Sequence, residues 1–192
     1  MTDTREALMD VAQELLQTRG YNGFSFRDVA ERVGIKTASI HYHFPAKTDL
    51  CRALIERQRR DVSEAIGRID AEEQAALRKL ARYTEVFRRT LEAGSRMCLC
   101  GMLAAEVNTL DPSLLADLRA SFEDHESWLK QTLLRGRKAG ELQFSGSPAD
   151  EARLLLSSLE GAMLVARTFD DLRRFDATVR GLLARLKADV RT

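Results

Sequence analysis

Apolar residues recur at intervals of three and four along nearly the whole chain, and this period constrains the fold more than any other feature. Between Thr4 and Arg19 it gives one complete apolar helical face, and Gly20 follows where a helix can end in a left-handed cap. The chain has 3 prolines and 11 glycines in 192 residues, so few positions interrupt such helices. The sequence therefore predicts an all-α fold of about nine helices.

The charge balance limits the classes of protein that the chain can represent. The 30 Lys and Arg residues nearly cancel the 29 Asp and Glu residues, so any contact with nucleic acid must depend on a local cluster of charge. No stretch approaches the roughly 18 consecutive apolar residues of a membrane span, and the segment from Met1 to Asp10 lacks the apolar core of a signal peptide. We expect a cytoplasmic protein with no membrane partner.

Three short helices are predicted before residue 48. The second begins with the capping signal Ser25-x-x-Asp28 and ends near Gly34, and the third runs from about Thr37 to Phe44. A helix, a turn that contains glycine and a second helix are the parts of a helix-turn-helix. The predicted domains are residues 1–48, a helix-turn-helix DNA-binding domain, and residues 49–192, a larger helical domain for ligand sensing and dimerisation.

The turn and the third helix of the predicted helix-turn-helix lie in a window without negative charge, since no acidic residue occurs between Glu31 and Asp49. Helix amino-terminal amides, tyrosine hydroxyls and lysine ammonium groups suit phosphate oxygens, and small polar or methyl groups on the third helix suit base edges. Two amphipathic helices that meet at a glycine without binding DNA are the alternative. The predicted DNA-binding residues are Ser25, Arg27, Lys36, Thr37, Ala38, Ser39, Tyr42, His43 and Lys47.

The segment GFSFRDVAERVGIKTASIHYHFPAKTDL resembles the DNA-binding signature of the TetR family of transcription regulators. The resemblance implies a homodimer whose recognition helices enter successive major grooves of a double-stranded, pseudo-palindromic operator. It also implies phosphate contacts by Tyr42 and Lys47, and a repressor that a small-molecule effector or thiol modification releases. The signature positions are Gly34, Tyr42, His43, Phe44, Lys47 and Leu50.

The last two predicted helices carry apolar stripes that suit a four-helix interface across a two-fold axis. The same residues could instead close the core of a single protomer. The predicted dimer-interface residues are Leu155, Leu159, Ala162, Val165, Leu182, Leu183 and Leu186.

An effector pocket is expected among helices four to eight, and it should be mostly apolar with a few polar anchors. His125 lies on the apolar stripe of the seventh helix and is the clearest candidate for such an anchor. Each candidate could equally be an ordinary core residue. The predicted ligand-binding residues are Tyr83, Phe87, Met102, Phe122, His125, Trp128 and Met163.

Cys98 and Cys100 suggest a second mode of sensing. They follow Arg96 near the start of a predicted helix, where a cation and amide dipoles lower a thiol pKa. The segment CLCGMLAAEV also resembles the sixth helix of family members that respond to electrophiles or oxidants, and that resemblance points to Cys98. Free cysteines are also common buried apolar residues.

A cytosolic helical thiol redox protein that uses Cys98 and Cys100 is the alternative function. Such enzymes usually pair C-x-x-C with a βαβ pattern, whereas this chain has C-x-C and no convincing strand. The histidines have no partner at metal-ligand spacing. We therefore predict a protein that is not an enzyme and has no cofactor and no metal site.

Overall fold

The computed structural model describes residues 4–188, and these residues form nine α-helices. The all-α fold that the apolar spacing predicts is confirmed. No helix of the described chain is long and apolar enough to cross a membrane. The helices are α1 Thr4–Arg19, α2 Phe26–Val33, α3 Thr37–His43, α4 Lys47–Glu72, α5 Ala76–Glu92, α6 Leu99–Ala105, α7 Leu115–Lys138, α8 Pro148–Thr168 and α9 Leu172–Leu186.

The helix boundaries differ from the sequence prediction mainly around α6. The apolar spacing predicts a helix from about Met97 to Leu110, but α6 ends at Ala105. Two 3-10 turns, Val107–Thr109 and Pro112–Leu114, follow it before α7. Glu106 leaves the helical conformation with φ −108° and ψ 20°, and this break ends the α-helix. The predicted end of α9, Val190, lies outside the described residues.

The chain forms two compact units, which are described separately. The first unit contains the residues up to Asp61 together with Arg96–Ser121, and the second contains Val62–Ser95 together with the residues from Phe122 onward. The predicted DNA-binding signature lies in the first unit. Since the first unit also includes residues 96–121, the functional boundary at residue 48 stays a prediction.

The core of the first unit is formed by apolar side chains of α1 to α4. The buried face of α1 contributes Leu8, Leu15 and Leu16, and Ile40 of α3 and Leu54 of α4 are equally inaccessible to solvent. Full burial of each such side chain contributes about 1.5–3 kcal/mol to folding. This core fixes the helix-turn-helix on α1, because α1 packs against α2 and α2 packs against α3.

The second unit is organised around α5, α8 and α9, which pack against one another. Leu155, Leu159 and Met163 of α8 and Phe175 of α9 are buried in it. The buried residue Glu151 of α8 is paired with Arg185 of α9. A buried charge needs such a partner, so this ion pair fixes how α8 and α9 align.

Candidate nucleic-acid interface and sensing residues

The ends of α2 have the geometry that the capping signal predicts. The Ser25 hydroxyl accepts the Asp28 amide at 3.4 Å, and the Asp28 carboxylate accepts the Ser25 amide at 2.7 Å. Hydrogen bonds from Ser25 hold the pKa of the Asp28 carboxyl below its usual value. At the other end, Gly34 has φ 79° and donates its amide to the Ala30 carbonyl. These two caps set the turn that leads into α3.

The helix α3 buries one side and exposes the other. Ile40 and the following Phe44 are buried in the core of the first unit, whereas Ala38 and Ser39 are exposed. Tyr42 is 87% exposed, although tyrosine is a large aromatic side chain. A short helix with small polar groups and one protruding tyrosine suits insertion into the major groove of DNA.

The other predicted DNA-binding residues lie around this face. Arg27 and Lys36 are exposed, and Thr37 and His43 are partly exposed. Ser25 is exposed, but its amide and its hydroxyl both donate to the Asp28 carboxylate. The structure thus leaves Arg27 and Lys36 as accessible cations for phosphate contacts.

Lys47 has a different position from the one expected for a phosphate contact. Its ammonium group donates to the backbone carbonyls of Tyr21 and Phe24, and it lies 4.1 Å from the centre of the Phe24 ring. Burial lowers the pKa of Lys47. These contacts direct the ammonium group into the protein, where it fastens the turn between α1 and α2, and the phosphate contact of Lys47 stays a prediction. No local pattern could reveal these partners, which lie 23 and 26 residues away.

The second unit brings four of the predicted ligand-binding residues into one aromatic cluster. The Tyr83 hydroxyl and Nδ1 of His125 are hydrogen-bonded at 2.6 Å, and both residues are buried. Tyr83 also packs against Phe87 and Trp128, with ring centres 5.3 and 5.1 Å apart. Burial lowers the pKa of His125 to about 4, so this histidine is neutral at pH 7.

Trp128 is held at the edge of this cluster by a charged network. Its indole nitrogen donates to Asp70 at 3.0 Å, and the Lys79 ammonium donates to the same carboxylate at 2.6 Å. Burial raises the pKa of Asp70, but these two hydrogen bonds, together with the charges of Lys79 and Arg135, keep it below its usual value. The aromatic cluster therefore has a fixed polar frame.

The other three predicted ligand-binding residues lie in different surroundings. Met163 is fully buried, Phe122 is partly exposed, and Met102 belongs to the first unit, where it lies beside Gly20. The second unit also has a cleft of about 330 Å³ that sequence reasoning missed. None of the predicted residues lines it. The cleft is lined by Leu91, Glu92, Gly94, Ser95, Ala166, Arg167, Asp170, Asp171, Leu172 and Arg173.

The predicted dimer-interface residues divide into buried and exposed groups. Val165 is 49% exposed and Leu182 and Leu183 are partly exposed, but the other four are covered within the single chain. These four already lie in the core of the single chain, and their part in a dimer interface stays a prediction. The four are Leu155, Leu159, Ala162 and Leu186.

The three cysteines are free thiols in different surroundings. Burial raises the pKa of Cys51 to about 12, and buried Cys100 donates to the Ser121 hydroxyl at 3.2 Å. Cys98 is partly exposed at the start of α6. The cation expected to activate it, Arg96, is paired with Glu14 at 3.1 Å. Thiol sensing through Cys98 or Cys100 stays a prediction.

A helix-turn-helix joined to a larger helical part defines the class of DNA-binding regulators with a sensing domain. The family model "Bacterial regulatory proteins, tetR family" matches residues 8–54, and "Tetracyclin repressor-like, C-terminal domain" matches residues 76–182. The chain belongs to the TetR family of DNA-binding transcription regulators, as the signature predicts.

Several relatives extend this similarity over the whole chain. The HTH-type transcriptional repressor NemR of Escherichia coli K12 is 26% identical over 188 residues, which cover 95% of this chain and 94% of that protein. A TetR-family regulator from Agrobacterium tumefaciens is 31% identical with a TM-score of 0.93, covering 96% and 98% of the two chains. A TetR regulator from Legionella pneumophila is also 31% identical, with a TM-score of 0.89 and 97% and 99% coverage. The comparisons do not favour the alternative of a thiol redox protein.

Proposed function

We propose that this protein is a homodimeric repressor that binds a pseudo-palindromic operator and leaves it when a small molecule binds to the second unit. The exposed side of α3 carries the proposal. There Tyr42 protrudes beside small side chains, and no acidic residue occurs between Glu31 and Asp49. The relative NemR is a transcriptional repressor, and this similarity supports repression as the sign of control.

The exposed residues divide into two groups by the chemistry of their side chains. Lys36, Arg27 and the Tyr42 hydroxyl suit phosphate oxygens, which set affinity and register. Ala38 and Ser39 lie on the exposed face of α3, where a methyl group can contact thymine and a hydroxyl group can contact several base edges. We assign Thr37 and His43, which are partly exposed, to the same base-reading group.

Selection of DNA from a random-sequence library would test this division. We expect Lys36→Met to weaken binding to all sequences alike and to reduce the dependence of log affinity on log salt by about 1. Ser39→Ala should instead change the preferred base at one position of each half-site. Lys130→Met removes an exposed lysine of α7 and is the matched control. Equal loss of affinity and unchanged base preference in Lys36→Met and Ser39→Ala would contradict the division.

The proposed dimer interface uses the exposed apolar side of α8. Leu154, Leu164 and Val165 of α8 and its C-cap residue Phe169 are 46–58% exposed, which is unusual for a group of large apolar residues. The occupant that we propose is the same surface of a second copy, because a two-fold operator requires a two-fold protein.

Analytical ultracentrifugation would test this interface. We expect Val165→Glu to give a folded monomer, because it places charge in an apolar interface. Val107→Glu makes the same change at a 42% exposed position of the first unit and should leave the dimer intact. A dimer that persists in Val165→Glu at low micromolar concentration would contradict the proposed surface.

The aromatic cluster is the proposed effector site. Tyr83 and His125 supply polar groups, and Phe87 and Trp128 supply flat apolar surface, a combination typical of small-molecule sites. A screen of small aromatic and carbonyl compounds by thermal shift, with release of bound DNA as a second readout, would identify effectors. Tyr83→Phe should weaken any effector that depends on the hydroxyl, and no effect of Tyr83→Phe on any hit would argue against this site.

A further inference from the structure

Glu106 binds the turn between α1 and α2 from a distant part of the sequence. Its Oε1 accepts the Tyr21 amide at 2.9 Å, and its Oε2 accepts the Asn22 amide at 2.9 Å. The Asn22 side chain donates to the same Oε2 at 2.6 Å and to the Thr109 hydroxyl at 2.7 Å. One carboxylate therefore receives three hydrogen bonds from two consecutive residues.

The backbone of this turn is shaped to receive a carboxylate. Gly20 has φ 83°, in the left-handed region, and the amides of Tyr21 and Asn22 converge on one anionic group. A Cβ atom at Gly20 would lie 1.9 Å from Oε1 of Glu106. Glycine is thus required here both by the backbone conformation and by the closeness of the carboxylate.

The carbonyl groups of the same turn are held by a second side chain. Lys47, the first residue of α4, donates to the carbonyls of Tyr21 and Phe24. The amides are held by Glu106, which ends α6. Burial lowers the pKa of Lys47, and the charge of Glu106 is among those that oppose this effect. The beginning of α4 and the end of α6 are therefore both fastened to one short turn.

We propose that Glu106 is a positioning residue for DNA binding. The turn ends immediately before the capping box at Ser25, so its conformation sets where α2 and α3 lie on α1. The Glu106 contacts keep the helix-turn-helix in the arrangement that an operator requires. The inference rests on the proposed operator binding.

The test compares Glu106→Gln with the wild-type full-length protein. Glutamine keeps the size of the side chain, but its amide group cannot accept both backbone hydrogen bonds. We expect hydrogen exchange of the Tyr21 and Asn22 amides to become at least about tenfold faster, since these bonds to a carboxylate are charge-assisted. Operator affinity should fall about tenfold, which corresponds to about 1.4 kcal/mol.

The direction of the affinity change distinguishes positioning from a simple effect of charge. Removing a negative charge strengthens attraction to phosphates, so a pure charge effect would tighten binding. Glu123→Gln makes the same change at an exposed position of α7 and is the control. The probe is a duplex that the wild-type protein selects from a random-sequence library, measured well below the unfolding temperature of each variant.

Each outcome decides a separate part of the proposal. Unchanged hydrogen exchange of the Tyr21 and Asn22 amides in Glu106→Gln would show that Glu106 does not hold the turn. Faster exchange with affinity equal to that of Glu123→Gln would overturn the positioning role. If the wild-type protein selects no DNA, the proposed function fails, and the exchange rates still decide whether Glu106 holds the turn.

Discussion

In the helix-turn-helix, polar side chains bind backbone groups, whereas in the aromatic cluster of the second unit they bind one another. Ser25 caps α2 and Lys47 binds two carbonyls of the preceding turn. In the second unit, Tyr83 is bonded to His125 and Trp128 to Asp70. The first arrangement fixes the course of the backbone, and the second places hydrogen-bonded polar atoms inside an apolar core.

This difference has consequences for stability and for sensing. Bonds to the backbone hold a turn in one conformation and leave the outer surface of α3 free to contact DNA. Burial of a hydrogen-bonded pair of side chains costs free energy of desolvation. The stability of such a pair therefore depends strongly on any change that charges or replaces one partner. We therefore expect the helix-turn-helix to respond to substitutions at turns, and the aromatic cluster to respond to pH.

The largest expected effect is the pH dependence caused by His125. Its pKa is about 4 in the folded chain and 6.5 when unperturbed, so the unfolded chain binds more protons between these values. The stabilisation is complete above about pH 6.5 and is lost as the pH falls to about 4. Since one pKa unit corresponds to about 1.4 kcal/mol, the free energy of unfolding should fall by about 3 kcal/mol.

Urea unfolding at several pH values would measure this loss. The control is His125→Gln, which removes the titrating group. Because the substitution also changes stability at every pH, only the change in the free energy of unfolding with pH is compared between the variant and the wild-type protein. If both proteins lose the same free energy between pH 7 and pH 4, the aromatic cluster does not respond to pH through His125.

The next largest effect is expected for Lys47→Met. The variant keeps the apolar stem but leaves the carbonyls of Tyr21 and Phe24 without the ammonium group. We expect a loss of about 2 kcal/mol in the free energy of unfolding, because hydrogen bonds to charged groups each contribute about 1.5–3 kcal/mol and this site is only half-buried. Urea unfolding would measure it.

Lys36→Met is the matched substitution at an exposed lysine and should change stability by less than about 0.5 kcal/mol. The order should be reversed for DNA affinity at low temperature, where Lys36→Met should lose more affinity than Lys47→Met. If Lys47→Met is as stable as the wild-type protein but binds DNA weakly, the result would support the phosphate contact that the sequence suggests for Lys47.

The smallest effect is expected for Gly34→Ala. At φ 79° an alanine is strained, although its Cβ would meet no atom within 4 Å. The free energy of unfolding should fall by about 1 kcal/mol. Gly67→Ala lies inside α4, also in open space, and should raise stability by up to about 1 kcal/mol. Thermal unfolding would show the two opposite signs; a shift of the same sign in both would contradict the cap.

The sequence predicted those features whose partners are close along the chain. The capping box of Ser25 and Asp28 spans three residues, and the helix periods extend over a few turns, so both follow from local rules. The partners of Glu106 lie 84 and 85 residues away, and those of Lys47 lie 23 and 26 residues away. No local pattern records such contacts.

The candidate site was predictable to a similar degree. The helical period predicts that Ile40 is buried, and the residues on the opposite side of α3 are therefore expected to be exposed. The stripe of α8 that contains Leu155 and Leu159 was equally visible, but an apolar stripe alone does not say which protein surface covers it. In the folded chain that stripe is part of the protomer's own core, and Val165 remains exposed.

The central claim is that α3 binds DNA, and one measurement tests it most directly. The affinity of the purified protein for the DNA upstream of its own coding sequence would be determined from about 50 to about 200 mM salt, with Tyr42→Ala alongside. We predict tight binding that weakens about a thousandfold over this range, and about tenfold weaker binding by Tyr42→Ala at each salt concentration. A folded dimer that binds neither this DNA nor any duplex from a random library would contradict the account.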